Sequence, residues 1–313
     1  MKKDVDLLII GGGPAGMTAA QYGARAALKT LLIEQSAFGG QALMINCLEN
    51  YPGNSAGRSG SEISLDLHKQ AEAFGAELFS GTVIFLRKKE KLFEAGLEDG
   101  GLIRAKAVIF ATGAGHRTLD IPGETQFSGV GVSYCASCDG PFFKNKKIFM
   151  VGGGDAVCDE AEFLSKITPD ITILVRRSEF RAQKAIAQRI LNNKSIRVWF
   201  NTRITAIKGV EKVESIILEN TKTGEKREEP TAAVFIFAGI LPKTELLTEL
   251  AVTLDNAGFI KTNQNMETSV PGLFAVGDVR SSPFRQVVVA ASDGAIAAHT
   301  AAAHIAEIPE TNV

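Results

Sequence analysis

The chain has 313 residues, 45% of them hydrophobic, which is more than one ordinary core absorbs and suits two domains. A net charge of −1 supplies no basic field for nucleic acid or a membrane surface. Four cysteines in this length exclude a secreted disulfide scaffold, so a soluble cytoplasmic protein is the expectation.

The start, MKKDVDLLIIGGG, mimics a signal peptide, but Asp4 and Asp6 interrupt it and the apolar run stops at Ile10. It reads as a buried strand entering a turn. In DLLIIGGGPAG, Gly11 permits the tight turn, Gly13 lets backbone approach a pyrophosphate, and Gly16 lets the next helix sit close to the sheet. That helix opens at Pro14 and Ala15, and its free N–H groups and dipole face the phosphates. The next strand, TLLIE, ends on Glu34, about 20 residues on, where a carboxylate can accept from a ribose 2′-OH. AVIFATGA, Ala107 to Ala114, is a further buried strand ending in a small-residue turn.

KIFMVGGGDAV, Lys147 to Val157, repeats the first unit. Gly152 and Gly154 hold the first two glycine positions, Asp155 and Ala156 open the helix, and Val157 takes the third. Valine there should push the helix outward or demand local repacking. ITILVRR follows, and Arg176, Arg177 and then Arg181 stand where the first unit has its acid. Guanidinium groups match the 2′-phosphate of NADP; the plainer reading is a solvated basic turn. GLFAVGDVR is a strand ending at Gly277 and Asp278, an aspartate that either binds a polyol chain or fills a turn. The Ala-rich end, Ala290 to Ala306, carries Asp293 and two histidines and fits a packed helix, not a membrane span.

These elements predict an α/β fold with two Rossmann-like dinucleotide-binding domains, the second inserted into the first. The expected ranges are 1–114 and 244–313 for the outer domain and 115–243 for the inserted one. GLEDGGL and NTKTGEK read as hairpin turns, one in each.

YCASCDGPFF, Tyr134 to Phe143, holds Cys135 and Cys138 with Asp139 beside them. Zinc needs four ligands, and Cys47, Cys158 and His116 are isolated. A four-residue loop gains only about 2 kcal/mol from a crosslink, against roughly 3 for fifteen residues. A dithiol that carries electrons fits better, since C-x-x-C motifs depress a thiol pKa and Asp139 could shuttle a proton or simply cap the turn. Cys47 and Cys158 are expected to be small packed residues.

GVGVSYCASCDG, GGQ at Gly39 to Gln41, ENYPG at Glu49 to Gly53, VRRSEFRA at Val175 to Ala182 and GDVRSSPFRQVVVAASDG at Gly277 to Gly294 together resemble the low-molecular-weight thioredoxin reductases, in order and over nearly the whole chain. The resemblance implies FAD in the outer domain, NADPH in the inserted one, a redox disulfide between Cys135 and Cys138, thioredoxin as substrate and a homodimer. It assigns Cys138 to the flavin and Cys135 to thioredoxin, with the inserted domain rotating between them. Asp139 matches the family's acid. Glu34, Gly40, Gln41, Asn50, Asp278, Arg285, Gln286 and Val287 match FAD-contacting positions, and Arg176, Arg177 and Arg181 match the 2′-phosphate cluster. Val175 replaces a common histidine, and Val157 and Cys158 replace the usual residues after the second turn. Three alternatives stand beside this reading: the reductase of a peroxidase system, a ferredoxin-fed reductase, and a nucleotide-binding module with a metal-clipped C-x-x-C.

Overall fold

The computed structural model describes residues 2–45, 48, 50–54 and 58–308. Cys47 and Glu49 lie outside the described residues. The helices are α1 (Pro14–Arg25), α2 (Gly60–Ala73), α3 (Ala136–Asp139), α4 (Asp155–Leu164), α5 (Lys184–Asn192) and α6 (Val287–Ala306). No described helix is long and apolar enough to cross a membrane.

The chain divides into two compact units, residues 1–115 with 241–313, and residues 116–240. The first is built on a seven-stranded sheet. Lys2–Ile10 lies at its centre, parallel to Thr30–Glu34 on one side and to Leu102–Phe110 on the other. Leu7, Leu8 and Ile9 are fully buried because both faces of the sheet are covered, as a continuous apolar run in a parallel strand requires. Leu273–Ala275 pairs with the C-terminal half of Leu102–Phe110, so its end emerges beside the first glycine turn. The antiparallel strands Val83–Lys89 and Leu92–Leu97 complete one edge, and the expected hairpin turn joins Leu92–Leu97 to Leu102–Phe110.

Three helices flank this sheet. α1 begins with Pro at its first position and has small residues on its buried face. α2 starts in a capping box: the Ser59 hydroxyl accepts from Glu62 N–H at 3.2 Å, and the Glu62 carboxylate accepts from Ser59 N–H at 2.8 Å. α6 is alanine-rich and packs on α1 so closely that a Cβ on Gly294 would lie 2.2 Å from the Ala15 carbonyl oxygen. Small residues on both helices permit that approach.

The second unit has a five-stranded parallel sheet in the order Ile196–Phe200, Ile171–Val175, Ile148–Val151, Ala233–Ile236, Val132–Ser133. α4 and α5 cover one face, and Phe235, Ile173 and Leu164 belong to the core there. A three-stranded antiparallel sheet, Thr202–Gly209, Val213–Asn220 and Lys226–Pro230, contributes to the core on the other face, and the second expected hairpin turn joins its last two strands. Arg227 stacks over the Trp199 ring at 4.1 Å, covering an aromatic that also meets Phe149.

Candidate active site

The two glycine turns use their backbone alike. Gly11 takes φ +109°, and a Cβ there would sit 2.4 Å from the Ala111 carbonyl oxygen. Only glycine allows this strand end to pass so close to its neighbour. A Cβ on Gly16 would lie 1.9 Å from the Gly11 carbonyl oxygen, so α1 rests on the turn itself. Gly13, by contrast, has nothing within 4 Å of its Cβ position. It precedes α1 as an N-cap with no side chain capping the helix. That is a concave cradle of free N–H groups, the geometry that accepts a phosphate.

The second unit reproduces the pattern with one change. Gly154 is the uncapped N-cap of α4 and also faces open space. A Cβ on Gly152 would lie 2.9 Å from the Phe237 carbonyl oxygen. Val157 fills the third position and is buried, its Cβ 3.0 Å from that of a residue placed at Gly152. The local structure thus packs the valine into the core, and the turn keeps its open side. Asp155 lies at the first position of α4, and its carboxylate accepts the Gln183 N–H at 2.7 Å, tying α4 to the segment after the arginines. Ala156 follows it in the first helical turn.

Glu34 folds back over the first turn: its carboxylate accepts from Gly12 N–H at 2.6 Å and from Ser36 N–H at 2.8 Å. It therefore stands at the mouth of the cradle, with lone pairs remaining. Gly40 and Gln41 open a short 3-10 turn, and the Gln41 amide donates to the Ala114 carbonyl oxygen. A Cβ on Gly40 would be 3.2 Å from Gly13 Cα, so this turn borders the cradle. Asn50 donates to the Gln286 side-chain oxygen at 3.0 Å, joining two residues far apart in sequence. Gln286 and Val287 start α6.

Gly277 and Asp278 form a 3-10 turn after Leu273–Ala275, and Gly277 takes φ +69° with Ala15 and Ala290 beside it. Burial raises the Asp278 carboxyl above its ordinary range, against the pull of Arg285. Its carboxylate has no hydrogen-bond partner among the described residues. A partly buried acceptor of this kind, open to a ligand, fits a hydroxylated chain laid along the turn. Arg285 donates to the Asp278 carbonyl oxygen at 3.5 Å and stacks over Phe259 at 4.1 Å. Glu34, Gln41, Asp278 and Arg285 thus gather around the first glycine turn, where they could hold a flavin dinucleotide.

Arg176, Arg177 and Arg181 project from the end of Ile171–Val175 and its following loop, all exposed. Among the described residues none of the three has an acidic partner. Their backbone is held independently: Arg177 O accepts from Asn201 N–H, and Arg181 N–H donates to Gly153 O. The arrangement presents three free cations beside the second cradle, suited to a nucleotide phosphate.

Cys135 and Cys138 are disulfide-bonded, with Cα atoms 5.4 Å apart. Val132–Ser133 carries the chain to the turn, and the Ser133 hydroxyl accepts from Cys135 N–H at 3.1 Å. Cys135 caps α3, and its sulfur accepts the Cys138 N–H at 3.2 Å. Burial raises the Asp139 carboxyl, with Ser133 opposing part of the shift. Cys158 is fully buried on α4, and burial pushes its thiol up to about 11, which leaves it unreactive.

Two groups of residues escaped the sequence reading. Tyr134 donates to Glu124 at 2.8 Å, and Glu124 in turn accepts from Leu119 N–H, anchoring the residue before Cys135. Arg280 and Asp293 form a buried ion pair beneath the Gly277 turn. The signal for Asp293 was present: a carboxylate inside an alanine-rich helix has no reason to be there unless something pairs with it.

The sequence profile described as pyridine nucleotide-disulphide oxidoreductase matches residues 5–294. The thioredoxin reductase of Treponema pallidum (strain Nichols) is 50% identical over 305 residues, covering 97% of this chain and 98% of the relative. That of Bacillus subtilis (strain 168) is 41% identical, covering 99% and 98%. The crystal structure of thioredoxin reductase from Streptococcus pyogenes MGAS5005 matches with a TM-score of 0.92 at 39% identity, covering 97% and 99%.

Proposed function

The chain belongs to the pyridine nucleotide-disulphide oxidoreductases and, within them, to the thioredoxin reductases, and on that premise we propose that it reduces the disulfide of thioredoxin with electrons from NADPH, through FAD and the Cys135–Cys138 disulfide. The observation that carries the reading is a C-x-x-C disulfide in one chain with two glycine-turn cradles, one faced by an acid and the other by free arginines. Glu34 suits a free ribose 2′-OH, and the arginines suit a 2′-phosphate, so FAD belongs in the first unit and NADPH in the second.

A flavin held by Glu34, Gln41, Asp278 and Arg285 would supply the electron pair that opens the disulfide, drawn as hydride from a nicotinamide at the second cradle. The Cys135–Cys138 bond then opens to two thiols. The Cys138 N–H and the α3 N-terminus favour negative charge on the Cys135 sulfur, so Cys135 is the attacking thiolate. It displaces one sulfur of the thioredoxin disulfide, forming a mixed disulfide. Cys138 then attacks Cys135, releases the thioredoxin dithiol and restores the intramolecular bond. Asp139, whose protonated form burial favours, supplies the proton to the leaving thiolate. A homodimer and a cytoplasmic location complete the proposal; sedimentation velocity tests the first.

Anaerobic titration tests the electron path. A yellow protein should bleach fully with about two equivalents of NADPH per flavin, one for the flavin and one for the disulfide, and need far more NADH. A colourless protein, or a flavin that NADPH leaves oxidised, would refute the reading.

The raised Asp139 pKa has a pH signature. The acid donates only below its folded pKa, so thioredoxin reduction should fall as pH rises through a value above the ordinary carboxylate range. Asp139→Asn should lose that falling limb and slow turnover about 10²-fold, the lower end for acid–base catalysis. A variant with an unchanged pH–kcat profile removes Asp139 from proton transfer.

A further inference from the structure

We propose that the buried Arg280–Asp293 pair is a positioning device for the flavin: it sets the Gly277–Asp278 turn and the start of α1 in register from a single point on α6. The inference rests on the flavin assignment above and concerns two residues outside the cradle.

The geometry is specific. Both Asp293 oxygens accept from Arg280, and one of them also accepts from the turn. Oδ2 accepts from Gly277 N–H at 3.1 Å and from Arg280 Nε at 2.6 Å, and Oδ1 accepts from an Arg280 terminal nitrogen at 3.0 Å. Asp293 is only 3% exposed. The guanidinium also donates to Thr262 Oγ1 at 3.4 Å and to the Ser281 carbonyl oxygen at 3.3 Å, so it staples the segment that follows the turn. A bidentate Arg–carboxylate fork fixes distance and orientation together, which a single hydrogen bond does not.

The consequence reaches two parts of the cradle. On one side the carboxylate holds the N–H of Gly277, the residue immediately before Asp278. On the other, Gly294 follows Asp293 on α6 and presses against Ala15 and Ala19, in the first turns of α1. Gly277 itself is wedged between Ala15 and Ala290. The helix that offers N–H groups to the pyrophosphate and the turn that offers Asp278 to the polyol chain are thus tied through adjacent residues of one helix. Rotation of the Gly277 peptide would swing Asp278 away and loosen Ala15 at once. Asp293 also lies near enough to Asp278 to favour its protonated form, so the pair influences the charge next to a bound flavin.

A buried ion pair that served only the fold needs no partner beyond its own two charges and their local hydrogen bonds. This one has a third partner, the backbone N–H next to the ligand-facing aspartate. That contact separates positioning from mere stabilisation.

The test uses the full-length flavoprotein. Flavin release is followed by the rise in flavin fluorescence, and the flavin midpoint potential is measured on the same preparations. Asp293→Asn keeps the size of the side chain but breaks the charge-assisted fork. Arg280→Lys keeps the charge and loses the fork. Ile305→Ala, at the far end of α6, serves as the control that destabilises the helix without touching the turn. Expected results are flavin release roughly tenfold faster or more in Asp293→Asn, the scale of one displaced charge-assisted hydrogen bond, and a shifted midpoint potential. Arg280→Lys should fall between it and the wild type. Ile305→Ala, with a lowered Tm, should release flavin at the wild-type rate and keep its potential. If Asp293→Asn fails to fold, Arg280→Lys alone decides. Release and potential that stay at wild-type values, or that track Tm as the control does, overturn the positioning role and leave the flavin reading intact. A wild-type protein that binds no flavin overturns the flavin reading itself.

Discussion

Replacing Cys138 by serine should leave a folded protein that binds its flavin and does not turn over thioredoxin. The two properties separate because the cysteine pair does little for the fold. Its loop is four residues long, so the crosslink contributes about 2 kcal/mol, a Tm change of a few degrees in a chain of this size. The chemistry depends on it entirely. Without Cys138 no disulfide exists to accept an electron pair, and a mixed disulfide formed at Cys135 has no internal thiol to resolve it. Turnover should fall by at least about three orders of magnitude, the scale on which covalent-catalysis residues register when removed. Flavin absorbance, circular dichroism and a thioredoxin reduction assay on one preparation check all three points. Retained turnover would sink the mechanism; loss of flavin together with fold would show that the disulfide is structural.

Replacing Arg176 and Arg177 by alanine should collapse the preference for NADPH over NADH. A guanidinium–phosphate hydrogen bond is worth roughly 1.5–3 kcal/mol, and exposure at this loop discounts that value. Two such groups amount to about 2–4 kcal/mol, or roughly 30- to 1000-fold in the ratio of kcat/KM values. The loss should appear in NADPH alone, since NADH lacks the 2′-phosphate. The backbone of both residues is held by Thr221 and Asn201 whatever the side chains are, so the fold should tolerate the change. The wild-type preference should also shrink with added salt, as exposed charges are screened. An unchanged ratio would remove the arginines from cofactor choice.

Much of the site was legible because its chemistry lies close in sequence. Gly11, Gly13 and Gly16 follow a strand and open a helix, and steric exclusion of Cβ atoms at Gly11 and Gly16 is a local requirement that any sequence with this turn must meet. The C-x-x-C spacing likewise constrains itself: three residues of separation place the two Cα atoms within disulfide range in one helical turn. The sequence leaves two outcomes for Val157, a helix pushed outward or local repacking, and the structure packs the valine into the core. Volume at one position depends on neighbours from Ile148–Val151 and Ala233–Ile236, which no local pattern contains.

What the sequence determined by itself was the periodic and the contiguous: strand runs, glycine turns, the arginine triplet, the cysteine pair, and from their duplication an α/β chain with two nucleotide folds. The tertiary structure alone decided which distant groups meet. Asn50 reaches Gln286, Tyr134 reaches Glu124, and Asp293 reaches both Gly277 and Arg280. The reason is physical. A turn or a helix start is specified by sterics within a few residues, whereas a buried carboxylate is satisfied by whatever donor the packing of α6 against the sheet brings within hydrogen-bond distance.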